Sequence, residues 1–176
     1  DCTIDFYFYC LKNNKKILKA LPLQIGGILR YKLHLISKTT LKECFFSFLR
    51  YLNDVDQLIV TFSEQNQSKI KQWYLKQKKE QDVIISASPE FLVSSICCTK
   101  GITNIIASDV NKRTGKFCSA NCWGIEKITR FKQKYPLDSI DQFYSDSKSD
   151  YALAKYAKNS FYVKKEHIKP WNEDII

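Results

Sequence analysis

The hydrophobic positions change rhythm partway along this chain. Over the first part they recur every three or four residues, the period of a helix face. Phe6, Phe8, Tyr9 and Leu11 open an aromatic segment, and Ile17, Leu18 and Leu21 follow before Pro22. A second run over 25–35 carries Ile28, Leu29, Tyr31, Leu33 and Leu35. Ser37-Lys38-Thr39 offers a polar cap to a third helix, along which Leu41, Cys44, Phe45, Phe48, Leu49 and Leu52 share the spacing. A fourth helix is predicted after Asp54, with Leu58, Ile59, Phe62, Asn66, Ile70 and Trp73 on one face. The run 58–62 taken alone has the composition of a strand, but the helical spacing continues through it.

Beyond residue 80 short β-branched runs take over. Val83-Ile84-Ile85 has the signature of a strand buried on both faces. Ser88-Pro89-Glu90 predicts a helix start, with Ser88 at the cap and Pro89 in the first turn. Further strands are expected at Ile105-Ile106, Phe143-Tyr144 and Phe161-Tyr162-Val163, with helices over 125–135 and 151–157 between them. This alternation implies βαβ units and an α/β fold, a doubly wound, mostly parallel sheet of Rossmann-like form. Asn111-Lys112-Arg113-Thr114-Gly115 predicts the turn of a small β-hairpin flap. The chain therefore divides into a helical block over 4–78 and an α/β core over 79–176.

Composition narrows the class. Hydrophobic residues make up 44% of 176, and Gly and Pro are few, which excludes a disordered chain. The net charge of +10 comes from 28 Lys+Arg against 18 Asp+Glu, spread along the whole length rather than gathered in one arm. That distribution fits a solvated surface that attracts small anions. Seven cysteines without a regular framework, and two histidines distant from them in sequence, argue against both a disulfide scaffold and a structural zinc site. Reduced thiols and a cytoplasmic location are the expectation. The apolar stretch over 18–29 is interrupted by Lys19, Pro22 and Gly26-Gly27, so no membrane span is predicted.

Ligands of an open α/β sheet bind beyond the carboxyl ends of its strands. Three places lie there. At Ser86-Ala87-Ser88 a hydroxyl and neighbouring backbone N–H groups, next to a helix start, suit a phosphate; capping is the simpler role for these serines. In Ser145-Asp146-Ser147-Lys148-Ser149-Asp150 two aspartates four apart suit a tight loop presenting hard oxygen to Mg²⁺, or an ordinary polar turn. Lys127, in Gly124-Ile125-Glu126-Lys127, stands where a lysine neutralises phosphate or is merely solvated.

In this order the three segments resemble the second, third and fourth motifs of the haloacid dehalogenase superfamily. The Ser86-Ala87-Ser88-Pro89-Glu90 form, the Gly115-Lys116-Phe117 flap and the Asp146 to Asp150 spacing look most like its phosphoserine-phosphatase-like branch. The resemblance implies a helical cap over 4–78, inserted before the second motif. It further implies a Mg²⁺-dependent phosphomonoesterase that acts on a small-molecule phosphate ester through an aspartyl-phosphate. On this reading Ser86, with Ala87 and Ser88, binds the phosphoryl oxygens, and Lys127 steadies aspartate and phosphate. Asp146 ligates Mg²⁺, and Asp150 supports that loop and the metal. The first motif, Asp-x-Asp at the end of a first strand, is read as absent from the chain. Asp1 is either its second aspartate or, with Thr3, part of the segment just after it; the helical pattern from Ile4 onward favours the latter. In both registers the nucleophile and first strand are expected upstream of residue 1, and these 176 residues alone are expected to be inactive.

Two other readings compete. One is a family member that has lost catalysis. The other is a nucleic-acid-binding module, suggested by the cations and aromatics over 69–79. On a helix Ile70, Trp73 and Tyr74 share a face that a cap would bury. Salt-dependent binding to RNA would support the module, and its absence would remove the main reason for it. No nucleic-acid partner is expected, and the oligomeric state is unread. The apolar, aromatic cap, with cations at Arg30, Lys32 and Arg50, suggests a hydrophobic or neutral leaving group.

Overall fold

A computed structural model describes residues 2–172. Asp1, on which the register of the first motif turns, lies outside the described residues, as does the end of the expected core. The helical block comprises α1 (Cys2–Asn13), α2 (Leu21–Lys32), α3 (Lys38–Phe46), α4 (Val55–Asn66) and α5 (Gln72–Gln77), with short 3₁₀ turns between several of them. Two starts are chemically explicit. The Ser37 hydroxyl accepts the Thr40 N–H at 3.1 Å and Asp54 accepts that of Gln57 at 3.1 Å, each satisfying an otherwise orphaned donor. The predicted fourth helix is broken. Asn66 turns its amide back to the Phe62 carbonyl at 2.7 Å, a 3₁₀ turn follows at Gln67–Lys69, and Ile70 is extended.

Aromatic packing holds this block together. Phe6 meets Phe62 edge-on at 5.2 Å and Tyr7 meets Phe48 at 5.1 Å. Full burial of each such ring contributes about 1.5–3 kcal/mol. Phe8 and Tyr31 are exceptions, standing exposed. The same core takes in Leu92, Ile96 and Val110, so the block's interior is continuous with that of the following segment.

That segment runs β1 (Ile84–Pro89), α6 (Glu90–Cys98), β2 (Ile105–Ser108), α7 (Ile125–Lys134), β3 (Gln142–Ser145), α8 (Tyr151–Ala154), β4 (Asn159–Lys164) and β5 (His167–Pro170). The fold is α/β, but the strands form two sheets among the described residues. β1 pairs in parallel with β2, and β3 pairs in parallel with β4, which carries β5 antiparallel. No β1–β3 pairing joins them.

Several local expectations are corrected. Ile84 and Ile85 are half-buried rather than enclosed, because β1 has a strand on one edge only. Ser88 does not cap α6. Its N–H goes to the Ser86 hydroxyl at 3.1 Å, and the proline after it keeps the backbone extended, so the strand runs through Pro89 and the helix begins at Glu90. The helix expected over 151–157 ends at Ala154, and β5 was not foreseen. The 111–115 turn exists, with Asn111 Oδ1 accepting the N–H groups of Arg113 and Thr114 at 2.9 Å, but its flanks form one antiparallel bridge, Val110 to Phe117. No described helix is long and apolar enough to cross a membrane.

Candidate active site

Register slips between Ile85 and Pro89 of β1, so Ser86, Ala87 and Ser88 lie where the ladder to β2 is interrupted. Their backbone groups are thereby freed for other partners. The Ala87 carbonyl accepts the Lys42 ammonium at 2.9 Å, and the Ser108 hydroxyl lies 3.2 Å from it. Ser108, fully buried at the end of β2, also lies 3.1 Å from Asn121 Oδ1 and accepts the Cys122 N–H at 3.0 Å. Lys42 reaches that same Asn121 oxygen at 3.1 Å. One lysine of α3 thus bridges the helical block to the carboxyl ends of β1 and β2.

Gly124 precedes α7 with φ +60° and ψ −128°, a region that side-chain-bearing residues avoid. It lets the chain turn sharply from Cys122 into the helix that carries Lys127. Arg130, one turn further on, holds Glu126 at 2.9 Å, the Ala107 carbonyl at 2.7 Å and the Ser119 hydroxyl at 2.8 Å. This guanidinium ties α7 to the end of β2 and fixes the loop that presents Asn121.

Lys127 and Asp150 form the most buried ion pair, their side chains 9% and 7% exposed. The ammonium donates to Asp150 Oδ2 at 2.7 Å, and the Ser145 hydroxyl donates to the same oxygen at 2.7 Å. Asp150 Oδ1, although 2.7 Å from the ammonium, is buried and accepts no hydrogen bond. A buried pair of this kind is costly to desolvate and weak evidence for stability, which favours a functional reason for keeping it. Asp146 differs: it is exposed on the loop after β3 and takes part in no hydrogen bond or ion pair.

Burial pushes the Lys42 ammonium down to about 8, aided by the like charges of Lys38 and Lys127. The Cys122 thiol is pushed up by burial, which keeps it neutral and disqualifies it as a nucleophile. The site therefore gathers cations: Lys42 and Lys127 are held near strand ends, with the Asp150 carboxylate already paired. For a hard cation the exposed Asp146 carboxylate is a suitable oxygen donor, while Asp150 Oδ1 accepts no hydrogen bond but already lies 2.7 Å from the Lys127 ammonium. Among the described residues no three His, Cys, Asp or Glu side chains are gathered so as to hold a metal ion by themselves. These two aspartates, four residues apart on the loop after β3, are the residues here that could hold a divalent cation.

Of the sequence candidates, Lys127 and Asp150 meet directly. Ala87 belongs to a separate network with Ser108, Asn121 and Lys42, which Lys127 reaches only through its like charge on Lys42. Ser86 and Ser88 bond each other, and Asp146 stands apart. Arg30 and Lys32 point into solvent and Arg50 binds the Thr114 carbonyl at 3.1 Å, so none of the three cap cations singled out reaches the site. Lys42 does, and was missed because nothing local distinguishes it from other lysines. An Asp-x-Asp spacing does occur at Asp54-Val55-Asp56. There Asp54 caps α4 and Asp56 pairs with Lys112, beside a separate concavity of about 650 Å³. It follows no strand, and its carboxylates are already engaged.

No curated protein and no solved structure matches the chain. The model of one family, haloacid dehalogenase-like hydrolase, matches residues 2–155. That span covers the helical block, the interrupted strand, Lys127 and the 145–150 loop. The chain belongs to the haloacid dehalogenase-like hydrolases.

Proposed function

We propose that the chain forms the cap and most of the core of a Mg²⁺-dependent phosphomonoester hydrolase of the phosphoserine-phosphatase-like branch, acting on a small phosphorylated metabolite. The observation that carries this reading is the buried Lys127–Asp150 pair with its Ser145 donor, set beside a strand end whose backbone is released by a register slip. Lys127 and Lys42 draw a phosphoryl dianion to the strand ends. The Ser86 hydroxyl, which accepts from Ser88 N–H, keeps its own hydrogen for a phosphoryl oxygen. Asp150 holds Lys127 in place and shares the metal with Asp146. Bound Mg²⁺ would supply charge neutralisation between an anionic nucleophile and an anionic ester.

On this reading the nucleophile is an aspartate carried by a strand between β1 and β3. Among the described residues each of those strands has one edge without a strand partner. A parallel strand there would unite the two sheets into one doubly wound sheet, and its carboxyl end would emerge between Ser86 and Asp146. Its carboxylate attacks phosphorus while the ester P–O bond breaks, a second aspartate protonates the leaving alkoxide, and water then hydrolyses the acyl phosphate. The helical block serves as the cap and the 111–117 turn as its flap. Lys42 is the cap's direct contribution to phosphate binding. Ile70 and Tyr74 are half-buried against the core and Trp73 lies against Tyr144 at 5.1 Å, which favours a packing role for these aromatics over a nucleic-acid platform.

The test is turnover of an aryl phosphate by protein expressed from the complete reading frame, with and without Mg²⁺. Mg²⁺-dependent turnover that falls at least a hundredfold in Asp146→Asn is expected, with none from the 176 residues alone. Turnover indifferent to both Mg²⁺ and Asp146 would sink the proposal.

A further inference from the structure

Helix α2 is built inside out. A surface helix ordinarily turns its apolar stripe inward and its charges outward. Here the buried seam is Gln24 and Gly27, three residues apart. Gln24 donates to the Phe45 carbonyl at 2.9 Å and lies 3.4 Å from the Tyr7 hydroxyl. Gly27 lies so close to Cys44 of α3 that an added Cβ would meet its Cβ at 2.6 Å. That seam fixes which way the helix faces. Ile25, Ile28 and Leu29, with Leu33 and Leu35 just beyond the helix, are left between 48% and 67% exposed.

Charge surrounds this face and all of it has one sign. From residue 6 to residue 42 the chain has eight Lys and Arg and no Asp or Glu. Arg30 and Lys32 stand roughly 160° apart around the α2 axis, flanking the arc that holds Ile25 and Leu29. Lys15, Lys16 and Lys19 lie exposed immediately before the helix. At 12 residues α2 is about 18 Å long, well short of the roughly 30 Å of a bilayer's hydrocarbon. An apolar face rimmed by lysine and arginine on a helix too short to span is the pattern of an element lying in a membrane interface.

We infer that α2 and the segment after it, to Leu35, form a peripheral docking surface for an anionic lipid bilayer. Ile25, Leu29 and Leu33 enter the headgroup boundary, and Arg30, Lys32 and the 15–19 lysines meet lipid phosphates and carboxylates. A second copy of this chain is the less suitable occupant, since pairing this face with itself would oppose cation to cation. The inference does not depend on the catalytic proposal. It also brings the candidate site near the lipid, because Lys38, three residues beyond Leu35, lies 4.0 Å over the half-exposed Trp123 ring next to Gly124.

Cosedimentation with vesicles of phosphatidylcholine, with or without phosphatidylserine, tests this. The 176-residue chain is expected to sediment with the phosphatidylserine vesicles and to be released by salt. Ile25→Asn/Leu29→Gln, and separately Arg30→Glu/Lys32→Glu, should each weaken binding about tenfold or more, with circular dichroism unchanged. Failure to bind the anionic vesicles, or binding by both variants equal to wild type, would overturn the inference. So would self-association without vesicles that Ile25→Asn/Leu29→Gln abolishes, which would assign the face to a second copy.

Discussion

Helices α2 and α7 are close in length, and both carry several cations, yet they place charge and apolar surface in opposite ways. In α7 Phe131 is buried, Lys132 and Lys134 are solvated, and one lysine, Lys127, is drawn inside to meet Asp150. In α2 the buried residues are a glutamine and a glycine, while isoleucines and leucines stand in solvent. Each helix breaks the ordinary rule once. In α7 the breach is a charge taken out of water, which costs free energy unless something there uses it. In α2 the breach is apolar area left in water, which marks a surface awaiting a partner. The two departures fall at the places assigned to chemistry and to docking, although α7 also leaves one apolar side chain, Ile125 at its first position, 74% exposed.

The strongest way to break this comparison is to remove the charge that α7 hides. Lys127→Met leaves the Asp150 carboxylate buried with only the Ser145 hydroxyl for company, and should destabilise the protein by about 3–5 kcal/mol. The double variant Lys127→Met/Asp150→Leu, apolar throughout, should recover most of that loss in urea unfolding. If the single variant unfolds at the same urea concentration as wild type, the pair is water-accessible and α7 is an ordinary surface helix.

Lys42 gives a smaller, pH-dependent effect. Its ammonium is pushed from an ordinary value of 10.5 to about 8 in the folded state. Between those values the unfolded chain binds more protons than the folded one, so this group makes stability rise with pH from about 8 toward 10.5. Below 8 both states are protonated and the cost is constant. Lys42→Met should therefore remove that rise and slightly stabilise the protein at neutral pH. It should also weaken inorganic phosphate binding about tenfold, as expected for losing one charged hydrogen bond. In wild type, phosphate affinity should fall as pH climbs past 8; in Lys42→Met it should not. Calorimetric titration at several pH values checks both signs.

How far the sequence could be read follows the range of the interactions. Helices capped by Ser37 and Asp54 were legible because cap and periodicity are local, and the strands at 84, 105, 143 and 161 announced themselves as β-branched or aromatic runs. Lys127 and Asp150 were found through the order of three motifs, each of which is weak alone. Lys42 was not, since its partners lie 45 and 79 residues away and no neighbour in sequence signals them. Ser88 was misread as a cap because its N–H is captured by Ser86, a choice settled by the slipped register of β1. β5 has no alternating apolar pattern and owes its place to pairing with β4. The orientation of α2 was illegible for another reason. With apolar residues nearly all round, periodicity predicts a helix but cannot say which side is buried; Gln24 and Gly27 decide that through partners on α1 and α3.

The smallest expected effect is the sharpest on that orientation. Leu29 is 57% exposed on the outer arc of α2, so Leu29→Gln removes almost no packing and substitutes one good helix former for another. Its stability should lie within about 0.5 kcal/mol of wild type. Phe131→Ala in α7, where the ring is buried against Ile106 and Leu153, should by contrast cost about 3–5 kcal/mol. Thermal melts of the two variants side by side decide the matter. If Leu29→Gln is as damaging as an ordinary core truncation, the leucine is covered in the folded protein and α2 has a partner within the molecule. If it is silent, the apolar face of α2 contributes nothing to folding, and a use outside folding is what its cationic rim supports.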